Sequence, residues 1–230
     1  MDPFTEPRLT RDTQDIYPVR RNILETVTKA LPALHGTFLD IGCGDMPYRA
    51  LILSGGKVTT YLGMDLHSAT AKRAVKPDLE WDGRTMPLAD ASVDSAMATE
   101  VLEHCAEPLV LLREAHRVLR PGGTLLLTMP FLWPLHEVPY DEHRYTPWAV
   151  ERLLKEAGFA SARVKALGGW DASLGQMIGL WAMRRPMQEW KRAWLKRITL
   201  PLVRALVRRE NVGNLMHGPM ITAVTAIATK

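Results

Sequence analysis

Along the 230 residues, apolar positions fall into short runs whose period switches between helical and extended. Between Asp15 and Leu31, the residues Ile16, Val19, Ile23, Val27 and Ala30 recur at steps of three and four, which predicts an amphipathic helix ending near Pro32. Thr37 to Ile41 is a short apolar run that meets Gly, Asp and Pro at once, as a buried strand does on entering a turn, and a helix from Pro47 to Leu53 follows. Lys57 to Met64, rich in Val, Thr and Tyr, predicts a second strand with Asp65 at its carboxyl end. Asp78–Trp81, Ser92–Ala98, Thr124–Met129 and Ser161–Leu167 predict four more strands, and the β-branched Met220–Thr229 a closing one at the sheet edge. Pro108–Leu119, with Leu109, Leu112, Ala115, His116 and Leu119 on one face, and Pro147–Ala157 predict helices between them.

Strands alternating with helices at this spacing predict an α/β fold: a Rossmann-like, doubly wound, mostly parallel seven-stranded sheet with a helical segment inserted before the last strand. The expected organisation is a vector-like remnant at 1–5, a helical region at 6–36, a cofactor-binding core at 37–168, a basic amphipathic insertion at 169–218 and the closing strand at 219–230. With 47% hydrophobic and 23% charged residues, the composition is that of an ordinary folded domain and excludes wholesale disorder. Two cysteines without CxxC spacing exclude a disulfide scaffold or a cysteine-rich metal site. With neither a secretory leader pattern nor a bilayer-length apolar stretch in the sequence, a cytoplasmic protein is expected.

In Asp40-Ile41-Gly42-Cys43-Gly44, glycines at alternate positions let the backbone turn tightly and approach a ligand, although a plain turn would use them too. Asp65 ends the second strand at the spacing where an acid accepts hydrogen bonds from ribose hydroxyls. A dinucleotide fingerprint wants Gly or Ala where Pro47 stands, which favours a mononucleoside ligand.

These blocks, followed by Trp81-Asp82-Gly83, Met86-Pro87-Leu88, Glu100-Val101-Leu102-Glu103-His104 and Leu119-Arg120-Pro121-Gly122-Gly123-Thr124-Leu125, stand in the order seen in class I S-adenosylmethionine-dependent methyltransferases. The chain resembles that family, in its small-molecule, methyltransferase-11-like branch, from about Phe38 to Phe159. The resemblance implies that S-adenosyl-L-methionine is the cofactor. Asp40, Gly42, Cys43 and Gly44 would line its methionine and ribose portion, and Asp65, with Leu66 beside it, would hold the ribose hydroxyls. Asp82 would accept from the adenine amino group next to Gly83, with Thr99 and Glu100 flanking the cofactor. Read alone, Asp82-Gly83 could be only a turn, and Glu100 and Glu103 could cap the next helix.

Methyl transfer from a sulfonium is an in-line displacement, and a hydroxyl acceptor needs a base. His136 and His143, in the loop after the fifth strand, and His104, after the fourth, are the candidate bases; hydrogen-bonded loop histidines are the alternative. No metal is expected, because the sequence separations of the histidines match no familiar ligand motif.

The expected acceptor is a small molecule, glycan or lipid, with oxygen as the methylated atom. Arg184 to Arg209 carries nine Lys or Arg against one acid, leaving the rest of the chain net acidic, and interleaves Trp190, Trp194, Ile198 and Leu202. It predicts two short basic helices broken at Pro201. These could touch an anionic membrane, close over the acceptor, or pack on the domain or a second copy in a homodimer. An RNA or protein acceptor docked there, and a non-catalytic interaction module, are the rival readings. Nucleic acid is disfavoured because no recognised binding module is visible.

Overall fold

The computed structural model describes residues 2–67 and 74–230. Seven strands form one sheet: β1 (His35–Ile41), β2 (Lys57–Leu66), β3 (Leu79–Trp81), β4 (Val93–Thr99), β5 (Leu119–Pro130), β6 (Ser161–Gly168) and β7 (Ile221–Thr229). Their order is β3-β2-β1-β4-β5-β7-β6, and β1 pairs in parallel with both β2 and β4. The winding therefore reverses at β1. Ligands in open α/β sheets bind where it does, outside the carboxyl ends of the strands.

The helices are α1 (Tyr17–Ala30), α2 (Arg49–Gly55), α3 (Pro108–Val118), α4 (Pro147–Glu156), α5 (Trp170–Arg184) and α6 (Glu189–Val207). The buried stripe of α3 is Leu111, Leu112, Ala115 and Val118, turned somewhat from the predicted face, with Leu109 and His116 only half-buried. The fifth strand begins at Leu119 rather than Thr124. Gly122 donates its N–H to the Lys230 carbonyl and Gly123 accepts from the Lys230 N–H, so this Gly-rich stretch is drawn into strand pairing instead of ending a helix.

The last strand is not at the edge. β7 lies between β5 and β6, and six of its residues from Ile221 to Ala226 are buried, as suits an interior strand with no polar face. Gly122 bonds past the end of β7 while Phe131 donates to Thr222 at its start, so β7 runs antiparallel to β5. Composition signals a strand here but carries nothing about its place in the order.

The chain divides into two compact units. The larger is Glu25–Met129, Leu135–Lys165 and Thr225–Lys230; the smaller is Met1–Leu24, Pro130–Pro134 and Ala166–Val224. Within the smaller unit α6 is one helix that continues through Pro201, not two short ones. Its buried stripe of Thr199, Val203, Leu206 and Val207 runs past the exposed proline, so packing outweighs the lost main-chain hydrogen bond. The buried Gln14 donates to the Lys196 carbonyl and lies 2.8 Å from the Thr199 hydroxyl, fixing the same face. Gly175 and Gly179 let α5 pack closely: a Cβ at Gly175 would lie 3.0 Å from Leu206, and one at Gly179 2.4 Å from the Gln14 carbonyl.

Candidate active site

The loop after β1 is built by main-chain bonds. The N–H groups of Gly42 and Cys43 both donate to the Met64 carbonyl of β2, at 2.8 and 3.0 Å. Gly42 sits at φ +67°, and a Cβ there would lie 2.6 Å from a Val101 methyl, so glycine is required on both counts. Gly44 donates to Asp65 Oδ2 at 3.2 Å and Leu66 to Oδ1 at 2.8 Å, which aims the Asp65 carboxylate across the carboxyl ends of β1 and β2.

A cavity of about 330 Å³ opens beside this edge, lined by Gly42, Asp65, Leu66, Trp81, Asp82, Gly83, Val101, His104 and Cys105 among others. Asp82 folds back as a turn-former, its Oδ1 accepting from the Arg84 and Thr85 N–H groups at 2.8 Å each. The Thr85 and Arg84 N–H groups hold its carboxyl below the usual range. Asp82-Gly83 is thus a turn and part of the cavity wall together.

Asp40, Cys43, Thr99 and Glu100 are not among the lining residues. Asp40 is buried within the sheet, where Oδ2 accepts from the Tyr61 hydroxyl and Oδ1 has no hydrogen-bond partner among the described residues. Burial pushes its carboxyl up to about 7; the nearby Asp65 adds to this and the Tyr61 hydroxyl opposes it. Cys43 is buried and Thr99 half-buried, the latter paired with Thr128. Glu100 adopts φ +55° and accepts from the Thr128 hydroxyl at 2.8 Å. Neither Glu100 nor Glu103 caps a helix: Glu107 precedes α3, and its side chain makes no cap bond.

The segments after β4 and β5 bring a second set of polar groups together. Glu103 and His104 lie in a short 3₁₀ turn, Leu102–His104. The Glu103 carbonyl accepts from the Glu142 and His143 N–H groups, and the Tyr145 hydroxyl donates to the Leu102 carbonyl at 2.9 Å. The rings of His104 and His136 meet edge to face with centroids 4.7 Å apart. His136 uses Nδ1 toward Asp141 Oδ2 at 3.1 Å, and Arg144 clamps both Asp141 oxygens at 2.6 and 2.8 Å. That clamp holds the Asp141 carboxyl well below the usual range.

His143 differs from the other two: its Nε2 is buried without a hydrogen-bond partner among the described residues, and its ring lies beside Tyr145. Sequence reasoning missed three things here: the Asp141–Arg144 clamp, the Tyr145–Leu102 tie and the burial of Glu103. Burial pushes the Glu103 carboxyl well above its ordinary value, and the charge of Glu100 adds to it. A second acid three residues after Glu100, at the end of an apolar strand, was the available signal.

A family model described as a methyltransferase domain matches residues 39–127. A malonyl-[acyl-carrier protein] O-methyltransferase of Dechloromonas aromatica is 30% identical over 164 residues, covering 66% of this chain and 62% of that one. The chain thus spans less than two thirds of that relative's length. An uncharacterized methyltransferase of Mycobacterium sp. (strain JLS) is 30% identical over 172 residues, covering 67% and 68% of the two chains. Among solved structures, a SAM-dependent methyltransferase from Archaeoglobus fulgidus superposes with a TM-score of 0.56 at 16% identity, covering 94% of both chains. With β1, β2, β4 and β5 in parallel and the cavity at the point where the winding reverses, the chain belongs to the class I S-adenosylmethionine-dependent methyltransferases.

Proposed function

We propose that the protein transfers the methyl group of S-adenosylmethionine to an oxygen of a small-molecule, glycan or lipid acceptor. The observation that carries this reading is one cavity with Asp65, Asp82 and Gly83 in its wall and His104 among the same lining residues. The residues suit the donor. Gly42 leaves the space that a Cβ would fill, Asp65 and Leu66 meet the ribose, and Asp82 with Gly83 meets the adenine. Asp40, Cys43, Gly44, Thr99 and Glu100 support that side from behind. The bound donor supplies the sulfonium methyl.

On the acceptor side the chain orients the oxygen and receives its proton. Asp141 holds His136 by Nδ1, so the lone pair is on Nε2, and His136 is the base this geometry favours, with His104 beside it. His143, with its buried Nε2, is better suited to support. The D. aromatica relative, named as an O-methyltransferase, supports oxygen as the acceptor atom. Calorimetry with S-adenosylmethionine and S-adenosylhomocysteine tests the reading. Binding to the wild type, weakened about 10- to 100-fold in Asp65→Ala through loss of charge-assisted hydrogen bonds, is expected. Folded wild type that binds neither compound would sink it.

We infer, in addition, that the smaller unit docks on an anionic lipid surface. Along α6, Trp190, Trp194, Ile198 and Leu202 form an outward stripe distinct from the buried one, with Lys191, Arg197, Arg204 and Arg208 exposed around it. On α5, Trp170, Leu174, Met177 and Trp181 are exposed at the same helical spacing. No helix among the described residues is long and apolar enough to cross a membrane, so contact at the surface is the mode that fits. Cosedimentation with vesicles containing phosphatidylserine, but not with phosphatidylcholine alone, is expected, and Trp194→Ala should reduce it. Equal sedimentation with both, or a dimer in solution that Trp194→Ala dissolves, would replace the lipid with a second copy.

A further inference from the structure

The structure assigns a divalent-cation site to Glu103, His104 and His136, the first two on the turn after β4 and the third on the loop after β5. One ligand atom from each lies within 4.8 Å of the others. Ligands about 2 Å from a shared ion are up to about 4 Å apart, so closure of the order of a rotamer adjustment completes the set.

Two independent observations point to a cation there. Glu103 is fully buried, yet neither carboxylate oxygen has a hydrogen-bond partner among the described residues, and His104 Nε2 stands 3.8 Å from its Oε1. A buried carboxylate left in that condition is costly unless it coordinates a metal or is paired. Both imidazoles are also held by their other nitrogen. His104 Nδ1 lies 3.2 Å from the Tyr140 carbonyl, which can only accept, so Nδ1 carries the proton and Nε2 the lone pair. His136 Nδ1 is held in the same way by Asp141, itself fixed by Arg144. Metal-binding histidines ordinarily have this outer support.

Two imidazoles and one carboxylate suit a first-row divalent ion such as Zn²⁺ or Mn²⁺ better than Mg²⁺, and leave coordination positions open. His104 also lines the cavity assigned to the donor. The use of the ion rests on the O-methylation reading. An acceptor hydroxyl bound to it loses its proton to water more readily; the oxygen lone pair then forms the O–CH₃ bond while the C–S bond breaks and its electrons return to sulfur. The products are the methylated acceptor and S-adenosylhomocysteine. With the ion bound, His136 acts as a ligand, and the metal takes over the activation otherwise assigned to it as base.

The full chain, stripped with chelator, is titrated with ZnCl₂ and MnCl₂, with metal content measured after dialysis and Co²⁺ absorption as a report on imidazole ligation. One ion per chain is expected, with Glu103→Gln and His136→Gln each weakening binding at least tenfold. Asp141→Asn, which touches no ion, should weaken it about 10- to 100-fold. If Glu103→Gln does not fold, His104→Asn carries the same test. No stoichiometric binding, or binding unchanged in these variants, overturns the site. S-adenosylmethionine calorimetry on the same samples separates the two readings: donor binding without metal binding removes only the metal site, and the reverse removes only the donor assignment.

Discussion

On the β1–β2 side of the cavity, positions are set by main-chain N–H groups: Gly42 and Cys43 to Met64, and Gly44 and Leu66 to the Asp65 carboxylate. On the β4–β5 side, they are set largely by side chains, some local and some reaching across to a distant loop. Asp141 binds His136 and Arg144, Tyr145 reaches Leu102, and the loop N–H groups of Glu142 and His143 reach Glu103. The first arrangement suits a ligand common to a whole family, because backbone groups present the same donors whatever the neighbouring side chains. The second can be rebuilt by exchanging a few side chains, which is where a change of acceptor would be accommodated.

The contrast is weakest at Asp40, whose buried carboxylate meets the Tyr61 hydroxyl and, among the described residues, no main-chain N–H. Its carboxyl is raised to about 7, chiefly by burial, from an ordinary value near 4 in the unfolded chain. A raised folded value means that the native state holds the proton more tightly. Its contribution to stability is therefore full below about pH 4 and lost as the pH rises through about 7, a difference of about 4 kcal/mol at most. Relative to Asp40→Asn, the wild type should lose stability in denaturant titrations between pH 4 and pH 8. A constant difference across that range would mean that Asp40 holds its proton equally tightly in the folded and unfolded chain.

The same contrast explains what could be read in advance. Gly42, Gly44, Asp65 and Asp82 announce themselves because each role depends on a residue type at a fixed distance from a strand end. The alternating elements fixed the fold class for the same reason: periodicity is local. The interior position of β7, the passage of α6 through Pro201 and the meeting of His104 with His136 all depend on neighbours that no local pattern contains. Sequence separation likewise carries nothing about residues on the ends of adjacent strands. β4 and β5 pair in parallel, so the segments after them emerge side by side.

A smaller effect tests whether the two sides are separable. The Tyr145 hydroxyl, on a buried ring, ties the segment before α4 to the turn that carries Glu103 and His104. Tyr145→Phe keeps the ring and removes that bond. The Leu102 carbonyl still accepts from the Cys105 N–H, so no orphaned acceptor is left, and the cost should be about 1 kcal/mol in unfolding free energy. Among the described residues Asp65 and Asp82 have no hydrogen bond to Tyr145 or Leu102, so affinity for S-adenosylmethionine should stay within about twofold of wild type while stability falls. A matching loss of donor affinity in calorimetry would show that the turn after β4 transmits its position to the Gly42 loop, where a Cβ would already meet Val101, and that donor and acceptor sides move as one.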